Sequence, residues 1–235
     1  MNGYSFFAPT KVLFGAGKLS ELGAQKLPGT KALIVTTGGN SVKRFGYLQR
    51  VEAELDRAGV AHELFDRIEP NPLRETVNAG GWMARTHGCD FVLALGGGSV
   101  MDGSKGICAV AANPHTDAEG NECPGDIWDF VNGGTALGLP IPNNPLPLVC
   151  VTTTAGTGSE ADAGGVISCE ENDEKLRLGD SRLFPVLSVV DPELMVSVPA
   201  RLTAYQGFDA LFHNVECYIA NTNTPMGDMV CREGI

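Results

Sequence analysis

The chain has 235 residues, 43% of them hydrophobic and 19% charged, which is the composition of a globular protein long enough to bury a sizeable core. Its formal net charge of −11 argues against nucleic acid or an anionic membrane as partner, because both bind basic surfaces. The sequence has no apolar run near the roughly 18 residues of a membrane span, and its start, MNGYSFFAPTKVLFG, lacks a signal-peptide pattern.

Short apolar runs alternate with segments of helical periodicity along most of the chain. KALIVTT predicts a buried strand ending at Gly38-Gly39, and YLQRVEAELDRAGV predicts a helix that ends at Gly59. AHELFDRI predicts the next strand, and a helix after EPNP runs to about Gly88. Three further buried strands are predicted in DFVLALGGGS, PLVCVTTTAGTGSE and VLSVVDPEL, with the helix SVMDGSKGICAVAA after the first. The predicted fold class is therefore α/β, with a parallel sheet covered on both faces.

The pattern changes near residue 195. MVSVPARLTAYQGFDALFHNVECYIA is helical in pattern, and no further buried strand follows it. We therefore predict an α/β domain at 1–195 and the beginning of an all-α domain at 196–235. About forty residues are too few to bury a helical core alone, so we expect the chain to stop part-way through this second domain.

A glycine-rich turn is the first candidate for chemistry. In LALGGGSVMDGSKG a predicted strand leads through three glycines and a serine into a helix. Backbone N–H groups at such a helix start can bind a diphosphate, because glycine lets the backbone approach closely. The turn is not the usual dinucleotide fingerprint, since Met101 stands where the third glycine belongs, and it is not a P-loop. A tight turn without a ligand is the alternative.

Two more segments carry polar side chains of interest. TTTAGTGSEA follows a predicted strand and offers many small donors for ribose or phosphate hydroxyls, with an ordinary polar turn as the alternative. In GFDALFHNVECYIA, Asp209 and His213 stand four positions apart and share a helix face, so that they can hold one metal ion. The alternative is a helix-dipole aspartate and a hydrogen-bonded core histidine. A metal site also needs a third and usually a fourth ligand.

Together and in this order, the motifs resemble the iron-containing (group III) alcohol dehydrogenase family. The matching features are FFAPTKVLFGAGKLSELG, EPNP, GGGSVMDGSKG, TTTAGTGSE, VVDPEL and DALFHNVECY. GGNSVKRFG, IEPNP and GGGSVMDGSKG are most similar to the butanol dehydrogenase or aldehyde reductase branch. The resemblance implies an N-terminal dinucleotide-binding domain, a helical metal-binding domain, and hydride transfer between a nicotinamide cofactor and an alcohol or aldehyde.

The resemblance also implies which residues bind the cofactor. Gly97, Gly98 and Ser99 match the diphosphate-binding turn, and Asp102 matches an aspartate near the cofactor. The other matches are the loop that contacts ribose and nicotinamide and a ribose-contacting lysine: Thr153, Thr154, Thr157 and Lys175. The end of the first nucleotide strand lacks the aspartate of NAD-preferring members. Thr37, Gly38 and Gly39 leave room there, and Ser41, Lys43 and Arg44 are candidates to meet a 2′-phosphate. We therefore expect NADP(H), with NAD possible; a solvated helix start is the alternative for the two basic residues.

Asp209 and His213 match the first two metal ligands of the family, for Fe²⁺ or Zn²⁺ acting as a Lewis acid on the substrate oxygen. Two more histidine ligands of the family fall outside this chain, so we expect the 235-residue chain itself to have little or no activity. The metal and substrate cleft would lie between the two domains, with Trp128 and Phe130 as candidates to face it and a surface-helix or packing role as their alternative.

Two other functions remain open. A related sugar-phosphate cyclase would share the fold, but DALFH and TTTAGTGSE disfavour it. A non-catalytic or inactive nucleotide-binding fragment is the other. The seven scattered cysteines, without a CxxC pair, are typical of reduced thiols and predict a cytoplasmic protein. A homodimer is a further expectation from the resemblance, with an exposed edge near the first strand.

Overall fold

The computed structural model describes residues 3–235, and their central feature is a six-stranded parallel sheet. The strands in chain order are β1 (Lys11–Phe14), β2 (Lys31–Thr37), β3 (Ala61–Ile68), β4 (Phe91–Gly96), β5 (His115–Thr116), β6 (Glu122–Cys123), β7 (Leu148–Thr152), β8 (Gly164–Cys169), β9 (Glu174–Gly179) and β10 (Leu187–Val190). The helices are α1 (Ser41–Arg44), α2 (Tyr47–Arg57), α3 (Arg74–Thr86), α4 (Gly98–Ala112), α5 (Ala200–Ile219) and α6 (Pro225–Gly234). The predicted α/β fold class is confirmed.

The strands of the large sheet follow the order β1-β10-β7-β4-β2-β3, and this order creates a crevice at the ends of the strands. The chain passes from β2 to β3 on one side and returns to β4 on the other side of β2. In open parallel sheets, the crevice at such a reversal lies outside the carboxyl ends of the strands and is where ligands bind. β4 and β7 end level with each other, since Gly96 pairs with Thr152.

Two apolar clusters lie on the two faces of the sheet. Val92 and Ala94 of β4 belong to the cluster that contains Ile107 of α4, whereas Leu93 of the same strand belongs to the cluster that contains Val51 of α2. Because successive side chains of a strand point to opposite faces, a strand covered on both sides is apolar throughout. This explains why the central strands are continuous apolar runs in the sequence.

Some elements were not predicted. β1 escaped prediction because it is a short edge strand with mostly exposed side chains. The antiparallel hairpin of β8 and β9 packs on α4 outside the large sheet, and its second strand, EKLRLG, alternates polar and apolar side chains. Trp128 and Phe130 are buried in the core at 4% and 7% exposure, so their packing role is the correct alternative.

The end of the described chain is helical. α5 and α6 pack on each other, and α5 has no fully buried residue. The boundary at residue 195 stays a prediction. Among the described helices, none is both long and apolar enough to cross a membrane.

Candidate cofactor and metal site

The glycine-rich turn and the threonine-rich loop contact each other at the carboxyl end of the sheet. A Cβ atom on Gly97 would lie 2.5 Å from Thr154 Oγ1, and one on Gly98 would lie 2.7 Å from Thr157 Cγ2. The Thr153 N–H donates to the Gly96 carbonyl at 3.0 Å. The two segments therefore approach this closely only because the turn lacks side chains.

The start of α4 is arranged to receive an anion. Gly97 is its N-cap and has extended backbone, and no side chain of the described residues caps the helix there. The first N–H groups of a helix have no partner within the helix and carry its positive dipole end. Such a helix start is suited to an anion, and diphosphate binding at this turn stays a prediction.

Gly38 and Ser41 lie beside the neighbouring strand end. The Gly38 N–H donates to the Ile68 carbonyl at 3.4 Å, which joins the ends of β2 and β3. Ser41 begins α1 and lines a mainly apolar cavity of about 360 Å³, together with Thr153 and Thr154. This Ser41 cavity continues to the first turn of α5, where Leu202 forms part of its wall.

The basic residues expected near a 2′-phosphate already have neighbours. Lys43 forms an ion pair with Asp66 of β3, and the hydrogen bond from Lys43 lowers the pKa of that carboxyl. The guanidinium of Arg44 lies 5.6 Å from the ring centroid of Phe45. A 2′-phosphate would therefore compete with Asp66 for Lys43.

Asp102 is hydrogen-bonded from two directions. Its Oδ1 accepts from the Ser159 hydroxyl at 2.7 Å and its Oδ2 accepts from the Val166 N–H at 3.0 Å. Burial raises the pKa of the Asp102 carboxyl, and these two hydrogen bonds oppose the rise. Asp102 lines a cavity of about 440 Å³, here called the Asp102 cavity. Other residues in its wall are Thr157, Lys175, Arg177 and His213.

Ser99 and Lys175 are both hydrogen-bonded to a third residue, Asn71, which the sequence analysis did not single out. The Asn71 N–H donates to Ser99 Oγ at 3.2 Å, and Asn71 Oδ1 accepts from Lys175 Nζ at 2.7 Å. Asn71 has a left-handed backbone with φ of 59°, a conformation that asparagine adopts more readily than most residues. The EPNP turn therefore links the glycine-rich turn to β9, and this linking role could not be deduced from the motif alone.

Asp209 and His213 lie together on α5, next to the threonine-rich loop. Asp209 Oδ1 is 3.6 Å from His213 Nε2, and both side chains are about half exposed. A Cβ on Gly156 would come within 2.8 Å of Asp209 Oδ2, and Gln206 of α5 accepts a hydrogen bond from the Ala155 N–H at 3.0 Å. The predicted pair thus lies beside the threonine-rich loop, and His213 lines the Asp102 cavity.

The donors of this pair suit a divalent transition metal. One carboxylate and one imidazole are the ligand types that Fe²⁺ and Zn²⁺ accept. Within residues 3–235, however, no group of three or more His, Cys, Asp or Glu side chains is placed to hold a metal ion. Asp209 and His213 as metal ligands therefore stay a prediction, and a metal site would need further ligands beside them.

Lys105 is a site residue that the sequence analysis missed. It is fully buried, and its ammonium donates to the Ser159 hydroxyl at 2.8 Å and to the Gly164 carbonyl at 2.6 Å, and pairs with Asp162. The available signal was the spacing in GGGSVMDGSKG, which places Lys105 one helical turn after Asp102 in an otherwise small and apolar helix.

Comparisons with known proteins agree with this arrangement. A sequence profile described as "Iron-containing alcohol dehydrogenase" matches residues 9–192. The chain is 36% identical over 233 residues to the probable NADH-dependent butanol dehydrogenase 1 of Bacillus subtilis, covering 98% of this chain and 56% of that protein. It is 36% identical over 220 residues to the NADPH-dependent aldehyde reductase YqhD of Escherichia coli, covering 93% of this chain and 53% of that protein.

A solved structure supports the same relationship. The archaeal alcohol dehydrogenase ADH/D1 from a Red Sea brine pool superposes with a TM-score of 0.88 at 35% identity, over 97% of this chain and 56% of that one. The chain thus spans about half the length of the relatives it matches. The profile match, the identities and the shared fold together show that the chain belongs to the iron-containing alcohol dehydrogenase family.

Proposed function

We propose that the chain is the cofactor-binding part of an oxidoreductase that transfers a hydride between NAD(P)H and an alcohol or aldehyde, with a divalent metal at the substrate oxygen. One observation carries the proposal: the glycine-rich turn, the threonine-rich loop and the Asp209–His213 pair come together at the carboxyl end of the sheet. The relatives named as butanol dehydrogenase and aldehyde reductase support the reaction class.

Different residues of this chain would bind different parts of the nicotinamide cofactor. The backbone at Gly97 and Gly98 would hold the diphosphate, with Ser99 beside it. Thr153, Thr154 and Thr157 would contact ribose and nicotinamide from the facing loop, and Asp102 and Lys175 would line the opposite side of that part of the ligand. Holding the nicotinamide and the substrate in one fixed geometry lowers the activation barrier of hydride transfer, because the entropic cost of aligning the two reactants is met when they bind.

Asp209 and His213 would hold the metal, either Fe²⁺ or Zn²⁺. A bound divalent ion supplies Lewis acidity that stabilises negative charge on the substrate oxygen. His213 also lines the Asp102 cavity, so the two side chains would hold the ion next to the proposed ligand. Two donors bind a metal weakly, so we propose that the 235-residue chain alone has little or no turnover.

We propose NADP(H) as the preferred cofactor, with NAD(H) as the alternative. The segment from the end of β2 through α1 contains Gly38 and Ser41 and no acidic side chain before Glu52, so nothing on it repels a 2′-phosphate. Lys43 stands on the same segment, although its pairing with Asp66 reduces the gain. Relatives of both kinds exist, one named NADH-dependent and one NADPH-dependent.

Two experiments test the proposal. The first titrates the chain with NADPH and with NADH and follows the fluorescence of the reduced nicotinamide. Binding of NADPH that weakens in Gly98→Val supports the assignment of the turn, and no binding of either cofactor contradicts it. The second experiment joins the chain to the C-terminal half of a full-length relative, loads Fe²⁺ or Zn²⁺, and follows butanal reduction beside Asp209→Ala. Turnover that requires metal and is lost in the variant supports the metal role.

We also propose a homodimer formed through the edge of the sheet, and a cytoplasmic location. β1 is an edge strand, and the side chains of Val12 and Phe14 are exposed on it. An exposed strand edge with apolar side chains favours pairing with another chain. The seven cysteines are free thiols, which fits a reducing compartment. Sedimentation of wild type and Phe14→Glu tests the dimer.

A further inference from the structure

We propose that Lys105 is a positioning residue that fixes the direction of a hydrogen-bond chain through Ser159 and thereby holds Asp102 as an acceptor-only carboxylate facing the ligand cavity. The ligand must then meet Asp102 with a donor, such as a ribose hydroxyl or a carboxamide N–H. The identity of that ligand rests on the proposed function; the state of Asp102 does not.

The first step is the donor character of Lys105. An ammonium group has three protons and accepts nothing. Lys105 is fully buried on α4, and its nitrogen has three acceptors: the Ser159 hydroxyl at 2.8 Å, the Gly164 carbonyl at 2.6 Å and the Asp162 carboxylate. Each of the three ammonium protons therefore has an acceptor. These hydrogen bonds compensate the buried positive charge of Lys105 and fix the position of its nitrogen.

The second step is the direction of the Ser159 hydroxyl. Among the described residues, its hydrogen-bond neighbours are Lys105 and Asp102. Because Lys105 can only donate, the Ser159 oxygen accepts from it and the Ser159 proton points to Asp102 Oδ1, 2.7 Å away. The relay thus has one polarity, running from Lys105 through Ser159 to Asp102.

The third step is the second oxygen of Asp102. Oδ2 accepts from the Val166 N–H at 3.0 Å, which is also a donor only. With a donor on each oxygen, both contacts favour the ionised carboxylate, and a proton on Asp102 would weaken the contact at the oxygen that carries it. The lone pairs that remain free face the Asp102 cavity as acceptors.

The charges around Asp102 determine how strongly its ionised form is favoured over the protonated form. Burial raises the pKa of Asp102, the hydrogen bonds from Ser159 and Val166 and the charge of Lys105 lower it, and Asp162 raises it. Lys175 and Arg177 from β9 and His213 from α5 line the same cavity. Loss of Lys105 removes both a positive charge and the fixed orientation of Ser159, so protonation of Asp102 becomes easier.

The decisive measurement is the titration of the Asp102 carboxyl carbon by NMR in the ligand-free chain. We expect its pKa to rise by about 1 unit or more in Lys105→Met and to rise also in Ser159→Ala, which keeps the ammonium. Lys175→Met, which removes a charge from another wall of the cavity, is the control and should cause a smaller rise. If Lys105→Met does not fold, Ser159→Ala decides. An Asp102 pKa that rises no more than in the control overturns the inference.

A second readout connects the relay to the ligand. The dissociation constant of NADPH should increase as the pH falls and Asp102 gains a proton. In Lys105→Met the same increase should begin at a higher pH than in wild type. A merely structural role would weaken binding equally at every pH. If wild type binds neither NADPH nor NADH, the proposed function fails, while the NMR titration still decides the role of Lys105.

Discussion

At the scale of single residues, Gly98 and Thr157 form one of the close approaches in the candidate site. An alanine Cβ at position 98 would lie 2.7 Å from Thr157 Cγ2 and 2.9 Å from its Oγ1. The β-branched threonine has little freedom to move aside, so we expect Gly98→Ala to lower the free energy of unfolding by about 1–3 kcal/mol and to weaken NADPH binding. Urea unfolding and fluorescence titration measure the two effects.

Gly207→Ala is the matched control for this substitution. Gly207 also lies in a helix, but no atom is within 4 Å of its would-be Cβ, so alanine should stabilise the helix by about 0.5–1 kcal/mol. Equal stability of wild type and Gly98→Ala would show that the turn and the threonine-rich loop are not in close contact.

The ion pair of Lys43 and Asp66 leads to a prediction about cofactor preference. Both side chains are more than one-third exposed, so the pair is weak and a phosphate can compete for Lys43. Asp66→Asn frees Lys43 and removes a negative charge, and we expect NADPH to bind about two- to fivefold more tightly while NADH is unchanged. Lys43→Gln should have the opposite effect on NADPH alone. Equal changes for both cofactors would place Lys43 away from the 2′-phosphate.

The sequence singles out candidate site residues only where a motif contains them. Gly97 and Gly98 stand out because a strand leads through glycines into a helix, and the structure places them against the loop that was also predicted. Lys105 and Asn71 do not stand out, since their roles depend on partners 54 and 104 positions away along the chain. Long-range polar contacts of this kind have no local pattern in the sequence.

At the scale of elements, Asp126 joins α3 to the segment that follows β6. Its carboxylate accepts from the Arg74 guanidinium, from Asn78 Nδ2 at 2.9 Å and from the Trp128 N–H at 3.0 Å. Burial alone would raise the pKa of Asp126, but the hydrogen bonds from Arg74, Asn78 and Trp128 outweigh burial and lower it. We expect Asp126→Asn to reduce the free energy of unfolding at neutral pH by about 1–3 kcal/mol.

The pH dependence of that loss has a definite sign. A carboxyl with a lowered folded-state pKa stabilises the protein fully above its unfolded pKa of about 4. The stabilisation disappears as the pH falls below that value and through the folded pKa. Urea unfolding of Asp126→Asn should therefore approach the wild-type curve below about pH 4. The exposed Glu119→Gln is the control. A constant difference between wild type and Asp126→Asn at all pH values would contradict the prediction.

Among the elements, the sequence predicts strands that are apolar runs and the alternating edge strand β3, but not a short, mostly exposed edge strand. β2, β4, β7 and β10 are recognisable because they lie inside the sheet and are apolar throughout. β1 has the opposite character, since it lies at an edge with exposed side chains. The strand order itself, with β1 beside β10, joins the two ends of the α/β region and cannot be deduced from local periodicity.

At the scale of the whole molecule, two apolar surfaces remain exposed in the described chain. One lies on α5, where Phe208 and Phe212 are 61% and 66% exposed, and the other is the β1 edge with Phe14 at 71%. Exposed patches of this kind mark interaction surfaces. The α5 surface fits the prediction that residues 196–235 begin a helical domain, and the β1 edge fits the proposed dimer.

These two surfaces can be separated by experiment. We expect Phe208→Glu/Phe212→Glu to reduce the binding of a fluorescent apolar dye by about half or more, since adjacent aromatic rings on one helix face form the larger accessible patch. Sedimentation of that variant should still show dimers, because β1 is unchanged. Phe14→Glu should give the reverse result, with monomers that keep most of the dye binding. If the α5 variant becomes monomeric and Phe14→Glu stays dimeric, α5 rather than the sheet edge holds the two chains together.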